Sequence, residues 1–153
     1  MQGIRPFVVT MAVVAIGLVA APSANAERGC HKINTVVVGT ADFVTNTVEG
    51  EIIGGGILHG TTQGSFTFTN IDPNTGIATY AGSYLITTKH GTLSLDLFDG
   101  VINLATLSGT NDSVVAAGTG RFEGATGGLF FEGSVGADGT FTDRLTGTIC
   151  LAK

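Results

Sequence analysis

Glycine and threonine dominate the chain after residue 26, and they constrain its fold more than any other feature. Residues 27–153 contain 22 glycines and 21 threonines, together about a third of that segment. Short runs rich in Thr, Val, Ile and Phe lie between the glycines, and no run keeps a 3.6-residue apolar period. This pattern is typical of β-strands joined by tight turns. The sequence therefore predicts an all-β fold with almost no helix.

Turn signals divide this segment into eight or nine candidate strands. Pro73 and Gly76 predict a turn at residues 72–76, Asp99 and Gly100 predict a hairpin, and the glycines at 54–56 predict a bend within a strand. We expect strands over residues 35–43, 48–59, 65–69, 77–88, 92–98, 101–107, 113–122, 128–135 and 140–151. Short connections favour an eight-stranded antiparallel closed barrel, because closure removes exposed strand edges. A β-sandwich is the alternative.

The first 26 residues are typical of a signal peptide. Arg5 precedes an apolar run over residues 7–21, and Ala24 and Ala26 suit a signal peptidase that cuts before Glu27. The run has about 15 apolar residues, whereas a membrane-spanning helix needs about 20. We therefore predict a signal peptide at 1–26, one barrel domain at 27–153, and a secreted or periplasmic protein with no membrane span after cleavage. A retained anchor is the alternative.

Two cysteines lie near opposite ends of the predicted domain. In an exported protein, Cys30 and Cys150 are best interpreted as one disulfide that holds the first strand against the last. Free or intermolecular thiols are the alternative. A metal site is not expected, because two cysteines with only His31 nearby do not supply four zinc ligands.

Composition excludes several functions. The formal net charge of −5 gives no support to nucleic-acid binding. Gly118, Gly120 and Gly124 imitate a dinucleotide fingerprint, but no strand–helix–strand unit surrounds them, so no cofactor is expected. No strained Gly-x-Ser-x-Gly turn or nucleophile–base pattern is present, and hydrolysis therefore has no positive evidence.

Three residues on predicted strands are candidates for an internal site. Asp143 shares the parity of Phe141 and Leu145, so an inward face would place its carboxyl in an apolar cavity with a raised pKa. A bulge or an arginine partner is the alternative. Tyr80 and Tyr84 also share one face, where they would line the cavity or simply pack in the core.

The glycine-rich sequence Gly-Thr-Gly-Arg-Phe-Glu-Gly-Ala-Thr-Gly at residues 118–127 resembles the signature of allene oxide cyclase-like and dirigent-like barrels. The sequences at 75–80 and 87–93 agree with bacterial exported proteins of this group, and the resemblance covers residues 46–151. It implies an eight-stranded antiparallel barrel with a central cavity, and often a homotrimer. In this signature, Arg121 would bind a carboxylate or pair with a nearby acid.

The sequence favours one function and leaves two alternatives. An exported barrel of this size is expected to bind a small apolar or amphipathic molecule in its cavity. The first alternative is an isomerase or cyclase, as the resemblance implies, with Asp143 as the only candidate proton-transfer group. The second is a structural envelope protein with a filled core. The expected ligand-binding residues are Tyr80, Tyr84, Arg121 and Asp143.

Overall fold

The computed structural model describes residues 29–54 and 56–152, which form a closed barrel of eight antiparallel strands. Each strand pairs with the next along the chain, and the last pairs with the first. The strands are β1 (Gly29–Asp42), β2 (Thr47–Ile53), β3 (Gly60–Asp72), β4 (Ile77–Thr88), β5 (Gly91–Asn103), β6 (Ser108–Gly118), β7 (Thr126–Val135) and β8 (Thr140–Leu151). The signal peptide predicted at residues 1–26 lies outside the described residues.

The predicted eight-stranded barrel is confirmed, and the β-sandwich alternative is wrong. The strands predicted at 77–88 and 140–151 have the bounds of β4 and β8. The hairpin predicted at Asp99 and Gly100 is wrong, because β5 continues through both residues and its register with β6 shifts between Phe98 and Val101. Asp99 adopts a φ of 49° there. A β-bulge thus absorbs the extra residues without reversing the chain.

Two predicted strands end earlier than expected, each in a short 3₁₀ turn. β2 ends at Ile53, and the turn Gly56–Leu58 leads to β3; β6 ends at Gly118, and the turn Gly120–Phe122 leads to β7. Leu58 and Phe122 have no exposed surface. Each turn therefore inserts one large apolar side chain into the barrel core.

Successive antiparallel strands place their connections alternately at the two ends of the barrel. The connections after β2, β4 and β6 lie at one end, which we call the closed end because Leu58 and Phe122 fill it. The connections after β1, β3, β5 and β7 lie at the other end, which we call the open end. Any cavity in this barrel is consequently reached from the open end.

The predicted disulfide is confirmed, and it lies at the closed end on the outer surface. Cys30 and Cys150 face each other in the β1–β8 pairing and are 120 residues apart in sequence. Ile33 and Val37, of opposite parity on β1, are buried in the interior. Closing a loop of this length restricts the unfolded chain and stabilises the fold by about 4–5 kcal/mol in the chain-entropy description.

Three of the four open-end turns share one local design. Each begins with an Asx residue whose side chain accepts backbone N–H groups two or three residues later, as Asp42 does from Val44 at 2.7 Å and Asn103 does from Ala105 at 2.9 Å. Asp72 caps the third turn in the same way. Each turn ends with a residue of positive φ, at Asn46, Gly76 and Leu107. These side-chain caps fix the rim of the barrel.

Candidate functional site

A cavity of about 100 Å³ occupies the open half of the barrel. Its apolar wall is largely aromatic, formed by Phe43, Phe66, Phe68, Phe131 and Phe141. The polar side chains that strand alternation directs into it are those of Tyr80, Tyr84, Asn111 and Asp143. The cavity therefore combines an apolar wall with a small polar region contributed by β4, β6 and β8.

Asp143 is the only carboxylate among the described residues that line this cavity. It lies on β8 between the buried Phe141 and Leu145, which share its parity. Within the described part of the chain, its carboxyl makes no hydrogen bond or ion pair, and Arg144 instead donates to Asn34 Oδ1 at 3.1 Å. Burial raises the pKa of Asp143 to about 6. The Asp143 carboxyl therefore changes from protonated to ionised as the pH rises through about 6.

Tyr84 lies deepest among the polar side chains of the cavity, with 5% of its surface exposed. Its hydroxyl donates to Thr62 Oγ1 at 2.9 Å, and its ring packs edge-to-face on Phe131 with centroids 5.2 Å apart. Burial raises the pKa of Tyr84, and the negative charge of Asp143 raises it further. The phenol is accordingly neutral and acts through hydrogen bonds.

Tyr80 and Asn111 form the second polar pair. Asn111 Nδ2 donates to the Tyr80 hydroxyl at 2.9 Å, and that hydroxyl donates to the Thr110 carbonyl at 3.5 Å. Burial raises the pKa of Tyr80. Asn111 is 7% exposed, and its Oδ1 has no hydrogen-bond partner. A buried acceptor without a donor costs free energy, commonly about 1–3 kcal/mol, unless a ligand or solvent supplies one.

Glycines on neighbouring strands make room for the side chains of the site. Gly64 faces Tyr84 in the β3–β4 pairing, and a Cβ there would lie 2.7 Å from Tyr84 Cδ2. Gly100 likewise underlies the Tyr80 ring, at 2.7 Å. Gly133 pairs with Asp143 and leaves space for its carboxyl. The glycine content therefore does more than build turns, since it lets large and charged side chains lie across adjacent strands.

Arg121 does not belong to this cavity. It is exposed in the 3₁₀ turn at the closed end, where it lies with His59, Lys89 and His90 around a separate surface depression. The expectation that Arg121 lies near Tyr80, Tyr84 and Asp143 is therefore wrong. The reason is that β6 stops at Gly118, so the turn carries Arg121 to the opposite end from Asp143.

Asn111 is a site residue that the sequence reasoning missed. The predicted strand began at residue 113, which left Asn111 in a connection, whereas β6 begins at Ser108. The parity of the buried Ser113 extends back to Asn111. Starting the strand directly after the turn that ends at Leu107 would have placed Asn111 on the inner face.

The rim of the open end carries exposed apolar side chains. Phe43, Val44 and Leu104 are 39%, 93% and 36% exposed in the turns that surround the mouth. Phe43 packs edge-to-face on Phe66, with centroids 5.8 Å apart, and Phe66 packs on Tyr80 at 6.0 Å. The aromatic surface thus continues from the rim into the cavity.

The fold and the site together define a small barrel with an internal disulfide and an aromatic cavity that opens at one end. No family model matches the chain, and no curated protein matches it significantly. The resemblance to allene oxide cyclase-like and dirigent-like barrels therefore stays a prediction. Within residues 29–54 and 56–152, no group of three or more His, Cys, Asp or Glu is placed to hold a metal ion, and no helix is long and apolar enough to cross a membrane.

Proposed function

We propose that this protein is an exported barrel that binds a small apolar or amphipathic molecule through its open end. The observation that carries the proposal is the aromatic cavity with one half-buried carboxyl, that of Asp143, which has no hydrogen-bond partner among the described residues. Binding sites commonly combine an apolar wall with a few such polar groups. A purely structural barrel would gain stability from filling this space.

The volume of the cavity limits what it encloses. Pockets that surround a drug-sized ligand have about 300–1,000 Å³, and an apolar cavity of about 150 Å³ holds benzene. The cavity here has about 100 Å³. It accommodates one small polar group, while the rest of a larger ligand lies against Phe43, Val44 and Leu104 at the rim.

Export is supported by two independent features. The Cys30–Cys150 disulfide is typical of proteins outside the reducing cytosol. The first 26 residues have the charge, apolar run and small residues of a signal peptide. Both features support a secreted or periplasmic location.

A catalytic role is the second candidate, and Asp143 favours it. A carboxyl whose pKa burial raises to about 6 is suited to general acid or base catalysis near neutral pH. An isomerisation that only moves a proton within the bound molecule would need this group and a shaped pocket. Asp143→Asn would then keep ligand binding and lower turnover by about a hundredfold or more, whereas a pure carrier has no turnover to lose.

Native mass spectrometry of protein purified from its natural source tests binding directly, by revealing a co-purified small molecule. Binding of the neutral fluorophore N-phenyl-1-naphthylamine supplies a second readout. Ala41→Leu extends a side chain that lines the cavity, whereas Ala117→Leu makes the same change on the exposed side of β6. We expect only the first variant to weaken binding. The proposal is overturned if no molecule co-purifies and the probe does not bind.

A further inference from the structure

The polar groups that the cavity leaves unsatisfied are all acceptors. The Tyr84 and Tyr80 hydroxyls donate to Thr62 Oγ1 and the Thr110 carbonyl, and Asn111 Nδ2 donates to Tyr80. Asn111 Oδ1 is fully buried and receives no hydrogen bond. The half-buried Asp143 carboxyl, which lines the cavity, receives none within the described residues. A ligand that complements this arrangement must supply N–H or O–H donors.

The charge of Asp143 also has no counterion in the cavity. Tyr80 and Tyr84 of β4 are the titratable groups that face it. On β7, Gly133 lies opposite Asp143 in the strand register, and Glu132 lies opposite Arg144 on the outer surface. On β1 the paired residue is Val37. Among the described residues, no Lys, Arg or His lines the cavity.

The turns at the open end carry only acidic charges. Asp42, Asp72 and Asp138 lie at the open end, and the turns there contain no Lys or Arg. Hydrogen bonds within these turns lower the pKa of all three carboxyls, which keeps them ionised. Lys32, Lys89 and Arg121 lie at the closed end together with Glu123, and Arg144 lies on the outer surface of β8. The field of the molecule therefore attracts cations toward the mouth and repels anions.

We propose that the natural ligand is an organic cation, a protonated primary or secondary amine on an aromatic or branched apolar body. Its N–H groups donate to the Asp143 carboxylate, and its apolar part packs against the phenylalanines at the mouth. Aromatic rings suit this occupant, because their faces attract ammonium groups as well as apolar carbon. The inference rests on the proposed function and specifies the class of ligand.

Three probes with one skeleton separate charge from shape: 2-phenylethylamine, 2-phenylethanol and 3-phenylpropionate, measured by isothermal titration calorimetry. At pH 7.5 we expect the amine to bind at least tenfold more tightly than the alcohol, and the carboxylate to bind most weakly. Between pH 7.5 and pH 5 the amine stays protonated while Asp143 takes up a proton. The preference for the amine over the alcohol should therefore be smaller at pH 5. This measurement needs no variant.

Asp143→Asn should remove most of the preference for the amine over the alcohol. Asp112→Asn, which removes an exposed carboxyl from β6, serves as the matched control and should keep the preference. Equal or tighter binding of the alcohol by the unmodified protein overturns the inference but leaves the proposed function intact. Failure of all three probes and of the neutral fluorophore to bind overturns both.

Discussion

Asp143 gives the barrel a pH-dependent stability whose sign and size follow from its environment. Burial raises the pKa of this carboxyl to about 6 from its ordinary 3.8. The folded state therefore binds the proton more tightly than the unfolded state. The contribution of this group to the free energy of unfolding is fully present below pH 3.8 and is lost as the pH rises through about 6.

The size of the effect follows from the two pKa values. At 1.36 kcal/mol for each tenfold difference in proton affinity, the ionised carboxylate lowers the free energy of unfolding by about 3 kcal/mol above pH 6. Asp143→Asn keeps the shape of the side chain and removes the ionisation. Relative to the unmodified protein, the variant should gain about 3 kcal/mol between pH 3.5 and pH 8.

Urea unfolding followed by far-ultraviolet circular dichroism, with the disulfide intact, measures this difference at each pH. The decisive quantity is how the difference in free energy of unfolding between the variant and the unmodified protein changes with pH. Contacts of the new amide add the same amount to this difference at every pH. Asp138→Asn is a control of opposite sign: hydrogen bonding to Thr140 lowers the pKa of Asp138, so its contribution is lost as the pH falls. A difference for Asp143→Asn that stays flat from pH 4 to pH 8 would refute the reasoning.

Three further predictions concern the disulfide, the glycine contacts and assembly. Cys30→Ala should lower the free energy of unfolding by about 2–5 kcal/mol in urea titrations, because the unfolded chain regains its loop entropy. Gly64→Ala should cost about 1–3 kcal/mol, since its new methyl meets the Tyr84 ring, and a shift in the near-ultraviolet tyrosine signal should accompany the loss. The homotrimer implied by the family resemblance predicts three times the monomer mass in light scattering. Replacing Phe98 and Phe130, which are 42% and 37% exposed on the outer surface, by serine should then shift the mass toward the monomer.

The sequence predicts the architecture well because turn chemistry and strand alternation are local. β4 follows a turn with Pro73 and Gly76, and β8 follows the Asp138–Gly139 pair, so their bounds are predicted correctly. The Asp99–Gly100 pair is misleading, because a bulge and a hairpin both favour a residue of positive φ. Only the pairing of β5 with both neighbours distinguishes them.

The candidate site is less predictable, because it depends on which strand segments meet across the barrel. The parity of β8 alone places Asp143 on the inner face, and the structure agrees. Arg121 is misplaced because a turn of three residues decides which end of the barrel it occupies. The contact between Gly64 and Tyr84 depends on the register of β3 with β4, which no local pattern reports.

In the three capped turns, the residues that stabilise each turn differ from those whose side chains shape the mouth of the barrel. In each turn, the capping residue and the residue of positive φ enclose three residues, and the first two of these are residues 43–44, 73–74 and 104–105. Those six positions hold Phe-Val, Pro-Asn and Leu-Ala. Because the caps use the backbone N–H groups of residues 44, 74 and 105 and none of the six side chains, these side chains can be exchanged while the caps are kept. New ligand preferences are therefore accessible by changing six residues, without redesigning the sheet beneath them.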